Sequence, residues 1–352
     1  MNYPNFLVRI GCSTYNHAPY IEDAMNGFCM QETTFPFIAT IIDDASTDGE
    51  QEVIKKYLDE NFDLSENSVS RKWETDDAHF IYAQHKENKN CYFAVVLLKY
   101  NFYSIKKAKG PLIKEWTDTK YIALCEGDDF WTDSGKLEMQ VGFLERNSVY
   151  SSCAHAVNYI QDGKLLKVDQ ISESECELSL SDLITKGGDF LSTCSLVYRL
   201  EIDKDIPSFR GKAKVGDYPL VLHMGLMGKV HYFPNVMSHY RYMSAGSWTQ
   251  RNHGEKMYEY FLNEVEWLGE FNKETRYKFD AEVNYRIMSF ARTLMYRRII
   301  DADTFKSYLK FINIFKLKKD CRDDYFWQIV TYKYSKQYQF ICKIWKKVKL
   351  SS

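Results

Sequence analysis

The run YIALCEGDDFWTD, residues 121–133, passes within a few positions from an apolar, β-prone segment to a dense patch of acid. A short apolar run bounded by turn formers reads as a strand over 121–125, which leaves Glu126, Asp128 and Asp129 at its carboxyl end. Working back, residues 7–13 are a similar β-rich run, and Tyr20, Ile21, Ala24, Met25, Phe28 and Cys29 recur behind it at helical spacing. Residues 37–42 form a second predicted strand. Val53, Ile54, Tyr57 and Leu58 line one face of the helix after it, with Thr47-x-x-Glu50 as a capping box at its start. Beyond an acidic, Ser-rich loop over 63–78, residues 79–83 read as a third strand, 94–109 as a helix and 111–119 as a surface loop. Alternating strand and helix implies a parallel sheet, and such sheets bind ligands beyond the carboxyl ends of their strands. The loops that matter are therefore CSTYNHAPY (12–20), DDASTDGE (43–50) and CEGDDFWTD (125–133).

The 352 residues suggest two domains at about 150 residues each, or one large domain with an extension. With 45% hydrophobic residues and 26 Tyr, 22 Phe and 7 Trp, the chain can build a sizeable core, which excludes disordered, collagen-like and coiled-coil classes. Its net charge of −2 gives no basic excess, so nucleic acid is not an expected partner. Nine cysteines, odd in number and without a C-x-x-C pair, read as reduced and mostly buried thiols. The first residues, MNYPNFLVRIGC, lack a basic-then-apolar signal pattern, and no run approaches about 18 apolar residues. A cytoplasmic, non-spanning protein is expected. Neither G-x-x-x-x-G-K-[ST], G-x-G-x-x-G at a strand-to-helix turn, H-E-x-x-H nor G-x-S-x-G occurs, which removes support for kinase, NAD-enzyme, zinc-hydrolase and serine-hydrolase readings.

Asp43 and Asp44 extend one predicted strand, while Glu126, Asp128 and Asp129 follow another, so two carboxylate clusters face one crevice. Uncompensated, they would repel each other and resist ionisation; a bound cation or a donor-rich ligand relieves this. Oxygen ligands without His or Cys favour Mg²⁺ or Mn²⁺, which bind through one or two carboxylates plus substrate phosphates. A nucleotide diphosphate fits that description.

These residues resemble glycosyltransferase family 2, enzymes of the GT-A nucleotide-diphospho-sugar fold. Ser13-Thr14-Tyr15-Asn16 is similar to the family's Pro-Thr-Tyr-Asn element, with Ser13 in place of proline, and Asp43-Asp44-Ala45-Ser46-Thr47-Asp48 to its Asp-Asp-Gly-Ser-Thr-Asp element. The resemblance implies that Thr14, Tyr15 and Asn16 contact the nucleotide and that Asp44, with Asp43, binds the base. Glu126-Gly127-Asp128-Asp129 corresponds to the Asp-x-Asp motif. That implies Asp128 as metal ligand, with Glu126 and Asp129 near ribose and diphosphate. Gly216-Asp217-Tyr218-Pro219 is similar to the family's acceptor side, where an acidic residue is the general base; from the residues alone, Asp217 could equally cap a helix over 219–225. The segment from Ser238 to Trp248 resembles a late Tyr-Arg-x-His element with Met243 at the His position. Arg241 there could offer a cationic fork to the diphosphate or serve as a packing residue.

The expected fold is α/β, a GT-A type mainly parallel sheet flanked by helices, with a helical C-terminal extension. Residues 1–248 form the glycosyltransferase domain (nucleotide-sugar half about 1–135, acceptor half about 136–248), and 249–352 a helical region. The implied function is inverting, metal-dependent transfer of a sugar, from a UDP-sugar first of all, to a glycan or lipid-linked glycan hydroxyl in cell-surface polysaccharide synthesis. The alternatives are a nucleotidyltransferase of related fold, which would want a Gly-rich basic loop after the first strand, and a non-catalytic nucleotide- or glycan-binding module. Residues 316–352 carry ten Lys/Arg against three Asp, and as a helix 334–350 is basic and amphipathic. It would either contact an anionic membrane surface peripherally or pack on the catalytic domain with its lysines in water.

Overall fold

A computed structural model describes residues 3–244, 250 and 254–308. At its centre lies β1 (Val8–Thr14), flanked in parallel by β2 (Phe37–Asp43) and β6 (Tyr121–Leu124). Strand order reverses at β1, so a crevice opens beyond its carboxyl end. Outside β2 come β5 (Cys91–Leu98, parallel), then β4 (Ala78–Gln84) and β3 (Arg71–Glu74), both antiparallel. Outside β6 the order is β11 (Val197–Arg199), β8 (Tyr150–Gln161), β12 (Lys229–Arg241) and β10 (Cys176–Leu178). Short β7 (Phe130–Trp131) and β9 (Lys164–Asp169) pair with β12 and β8. The expected α/β architecture with a mainly parallel central sheet is present.

Helices cover both faces. On one, α1 (Ile21–Cys29), α2 (Glu50–Asn61) and α3 (Lys136–Arg146) close a core that includes Ile10, Phe28, Ile54, Phe93, Trp131 and Leu144. On the other lie α4 (Leu180–Lys186), α5 (Ser208–Lys212), α6 (Asp217–Met227), α7 (Glu255–Glu274), α8 (Asp280–Tyr296) and α9 (Ala302–Tyr308). From α7 and α8, Phe261, Trp267, Leu268, Phe271, Ile287 and Met288 enter one core with Tyr198, Tyr218 and Leu222. At about 1.5–3 kcal/mol for each fully buried large apolar side chain, those contacts hold the C-terminal helices on the sheet as part of its second layer. Within α7, Phe261 and Leu268 are buried whereas Leu262 is exposed.

Three expectations change. Residues 94–109 are not a helix: β5, CYFAVVLL, is buried at all eight positions. A strand covered on both faces loses its two-residue alternation, and its β-branched and aromatic content was the remaining clue. Residues within 111–119 are not a surface loop, because a 3-10 helix at Gly110–Trp116 buries Ile113 and Trp116 against Phe80 and Tyr82. The 63–78 loop contains β3. All seven cysteines among the described residues are free thiols, five of them buried, and no described helix is long and apolar enough to cross a membrane. The basic amphipathic segment 334–350 lies outside the described residues, as does Trp248.

Candidate active site

The loop after β6 runs on alongside β1: Cys125 N–H donates to Gly11 O and Gly127 N–H to Ser13 O, both at 3.2 Å. Gly127 makes that approach feasible, since a Cβ there would lie 2.1 Å from Thr14 Oγ1 and 2.6 Å from Thr14 Cβ. The third loop joins through Asp44 N–H, which donates to Thr14 O at 3.0 Å. Three chain segments thus meet at the end of β1.

Glu50 ties the first two loops together. It is buried at the start of α2, where it accepts from the Thr14 hydroxyl, from His17 N–H (2.9 Å) and from Ser46 Oγ (2.8 Å). Burial pushes its carboxyl up to about 6, against those three donors. It is therefore not the outward partner of a capping box; the N-cap is Gly49, with φ of 91° and no side-chain bond. Asn16, also at positive φ, receives Thr47 N–H on Oδ1 (2.8 Å) and gives its own N–H to Ser46 Oγ (2.9 Å). Tyr15 is half-buried beside it.

The acidic loop delivers three different carboxyls. Asp128 is buried; its Oδ2 accepts from Ser244 Oγ at 2.7 Å and lies 3.7 Å from His17 Nε2. Asp129 is buried beneath it and accepts Arg241 N–H at 2.8 Å. Burial, then the Asp128 charge, hold the Asp129 carboxyl well above the usual range. Glu126 is exposed at the crevice. Surrounding protein, then the charges of Asp217 and Asp128, push it up to about 8, with Lys109 pulling the other way. Solvent reaches the Glu126 side chain, so part of that push is screened.

Asp217 is the first residue of α6, two positions before the expected helix start, and lies near enough for its charge to act on Glu126. It is not the N-cap, a position held by Gly216 without a side-chain bond. Half-buried, its carboxyl is raised by desolvation and lowered by the Thr193 hydroxyl.

Asp43 and Asp44 are both buried but differently engaged. Asp44 accepts Phe102 N–H (2.7 Å) and Tyr103 N–H (3.2 Å) and pairs with Lys109 at 3.0 Å, so it is occupied in holding the loop after β5. Asp43 Oδ1 takes Ser46 N–H (3.1 Å) and Gln51 Nε2 (2.5 Å), while its buried Oδ2 has no partner among the described residues. Arg241 is committed as well: Nη1 donates to Asp128 O at 2.8 Å, Nη2 pairs with Asp23, and the guanidinium lies 4.9 Å and 4.4 Å from the Tyr20 and Phe130 ring centres. In that arrangement Arg241 supports the backbone of the acidic loop.

Sequence reading missed His17, Ser244, Lys109 and the inward role of Glu50. His17 directly follows Asn16 in a loop already under suspicion; the others carry no local signal, because their partners are distant in sequence. Among the described residues, no group of three or more His, Cys, Asp or Glu is arranged to hold a metal ion. The donor set suits an ion that takes one carboxylate from the protein and its other oxygens from substrate and water.

With this geometry in place, comparison with known proteins is specific. The model of the family described as Glycosyl transferase family 2 matches residues 10–206. The uncharacterized proteins Mb1547 of Mycobacterium bovis and Rv1520 of Mycobacterium tuberculosis are each 30% identical over 243 residues, which is 67% of this chain. The chain spans 58% of the length of each. Among solved structures, S. aureus TarS 1–349 in complex with UDP-GlcNAc aligns with a TM-score of 0.55 at 15% identity, covering 88% of this chain and 80% of that one. The same protein with UDP gives 0.54 at 14%, covering 86% and 78%. At such identity the likeness is one of fold.

Proposed function

The chain belongs to glycosyl transferase family 2, and from that premise we propose that it moves a sugar from a nucleotide diphosphate to a hydroxyl of a glycan or lipid-linked glycan acceptor. UDP is the first nucleotide to consider, since the structurally similar TarS binds UDP-GlcNAc. The observation that carries the reading is convergence: Glu126, Asp128 and Asp129 from β6 and Asp217 from α6 meet at the switch point beside β1, with Thr14 and Asp43 lining the adjoining loops. Family membership sets the nucleotidyltransferase alternative aside.

In this reading Asp43, with its unpartnered Oδ2, and the Thr14–Asn16 loop receive the base, Asp44 keeps the neighbouring loop in place, and Glu126 and Asp129 border the ribose and diphosphate. Mn²⁺ or Mg²⁺ would be held by Asp128, and when bound it supplies Lewis-acid stabilisation of charge on the leaving diphosphate. Asp217, on the far wall and outside the Asp128 loop, takes the proton from the attacking hydroxyl. In-line attack from that side inverts the anomeric centre. Ser244 and His17 fix the Asp128 carboxylate, and Arg241 fixes the backbone that carries it.

A thermal-shift and calorimetric screen of UDP, GDP, CDP, ADP and UDP-sugars, with and without Mn²⁺, tests the reading. Ligand at about 100 times Kd stabilises the folded state by about 2.7 kcal/mol. We expect a Mn²⁺-dependent shift with one nucleotide that disappears in Asp128→Ala. No shift with any nucleotide would overturn it.

A further inference from the structure

The C-terminal helices reach the acceptor side of the crevice, and a buried ion pair marks the place. Arg286 of α8 donates from Nε to Glu264 Oε1 of α7 at 2.6 Å, with Glu264 only 2% exposed. The guanidinium lies 5.5 Å from the Tyr218 ring centre and 5.1 Å from that of Phe290, and Nη1 reaches Lys186 O at 3.5 Å. It fills the space that a side chain at residue 187 would need: Gly187, at φ of 83° just after α4, could carry no Cβ without placing it 2.2 Å from Arg286 Cζ. Burial opposes the charge on Arg286, but Glu264, Tyr218 and Asp189 outweigh it and keep the group protonated.

Tyr218 directly follows Asp217 in the first turn of α6. That turn has no side-chain N-cap. What fixes it is Tyr218, whose hydroxyl donates to Ile184 O at 2.6 Å while its ring packs edge-on against Trp267 at 5.0 Å and receives Arg286 on a further side. The incoming chain is strapped to α7 too: Asn263 accepts Lys214 N–H at 2.8 Å and donates to Lys212 O at 2.9 Å, and Lys212 pairs with Glu270 at 2.5 Å. The turn that carries Asp217 is thus held both by α4, within the family's matched region, and by α7 and α8, which lie beyond it.

We propose that Arg286, paired with Glu264, is a positioning residue for glycosyl transfer: it wedges the end of α4 against the first turn of α6 and, through Tyr218, sets the direction of the Asp217 carboxylate. This rests on Asp217 being the general base. Donor binding is formed by other elements, so loss of the wedge affects turnover rather than nucleotide affinity. A purely structural ion pair would behave differently, because replacing both partners of a buried pair by apolar side chains commonly preserves or raises stability.

The test compares wild type, Arg286→Lys, the double variant Arg286→Met/Glu264→Leu, and Asp217→Asn. Donor affinity, thermal stability and release of UDP are measured with the UDP-sugar chosen by the nucleotide screen, with water as acceptor. Arg286→Lys keeps the charge without the planar fork. Both Arg286 variants are expected to bind donor within about twofold of wild type, with kcat reduced about ten- to a hundredfold, the loss typical of a small misplacement of a reacting group. Either variant, folded and turning over at the wild-type rate, overturns the inference. Asp217→Asn separates the two failures: retained turnover there would sink the base assignment itself, whatever the Arg286 variants do.

Discussion

Gly127→Ala isolates the contact on which the crevice depends. The added methyl would sit 2.1 Å from Thr14 Oγ1, 2.6 Å from Thr14 Cβ and 3.1 Å from Ile21 Cδ1. Ordinary contact requires the 126–129 loop to retreat by about 1 Å, since carbon pairs are comfortable only near 3.5–4.0 Å. Ile21 Cδ1 can turn aside, but Thr14 Cβ is fixed by the β1 backbone, which pairs in register with β2 at Asp43. Overpacking of this kind costs about 1–3 kcal/mol. A displacement of about 1 Å at the carboxylates costs a further hundredfold or so in turnover. Urea unfolding reads the first effect, and calorimetry of UDP with Mn²⁺ together with donor turnover reads the second. Repeating the substitution in a Thr14→Gly background, which deletes both obstructing atoms, should recover at least about 1 kcal/mol of the penalty as a coupling term. If Gly127→Ala costs the same in both backgrounds, Thr14 is not the obstacle and the reasoning fails.

Two further outcomes follow from the same geometry. The folded-state pKa of Glu50, about 6, lies above the 4.5 of the free side chain, so wild type is penalised once the group ionises. That penalty is absent well below pH 4.5, grows through pH 6 and is then constant, at about 2 kcal/mol for the shift of one and a half pH units. Urea unfolding of Glu50→Gln at pH 4.5 and 7.5 should therefore show the variant gaining about 1.5 kcal/mol on wild type at the higher pH, since part of the penalty is already present at pH 4.5, and an equal difference at both would contradict the burial argument. Arg241→Met removes the bonds to Asp128 O and Asp23 while keeping much of the packing on Tyr20 and Phe130. It should lose about 1–3 kcal/mol of stability and weaken UDP–Mn²⁺ binding. Unchanged binding by calorimetry would mean that the acidic loop needs no support from behind.

The parts of this fold that were legible in the sequence are those whose signal is local. β1, β2 and β6 each end in a polar loop, and α1 buries Ile21, Ala24, Met25 and Phe28 on one face, as its spacing requires. β5 was misread because both its faces are covered, and β3 because RKWE becomes a strand only by pairing along β4. Asp128 and Asp129 could be found as acids at a strand end, whereas Glu50 could not be placed: Thr47-x-x-Glu50 is a valid local capping pattern, yet its carboxylate answers to Thr14 and His17 more than thirty positions earlier. The resemblance singled out Asp44 and Arg241 but not what holds them. Their partners, Phe102, Lys109 and Asp23, depend on how distant loops close, which no short motif encodes.

Under the proposed function, the distribution of charge favours a metal-bound diphosphate over a free one. Burial raises the carboxyls of Asp129, Glu126 and Asp217, and repulsion from neighbouring carboxylates adds to it at Asp129 and at Glu126, the latter reaching about 8. The nearby cations are already spent locally: Lys109 faces Asp44, and Arg241 pairs with Asp23 and the Asp128 carbonyl. A diphosphate alone would bring negative charge to a wall whose carboxyls already resist ionisation, at a point where protein limits solvent screening. A divalent ion held by Asp128 would supply compensating positive charge and a binding partner for the phosphate oxygens. Asp217, at the start of α6, takes no part in the hydrogen bonds that organise the Asp128 loop and has the Thr193 hydroxyl as its partner. In the proposed function one carboxylate would hold the ion and another would accept the proton, and the two come from separate elements, the loop after β6 and the start of α6, rather than from one motif.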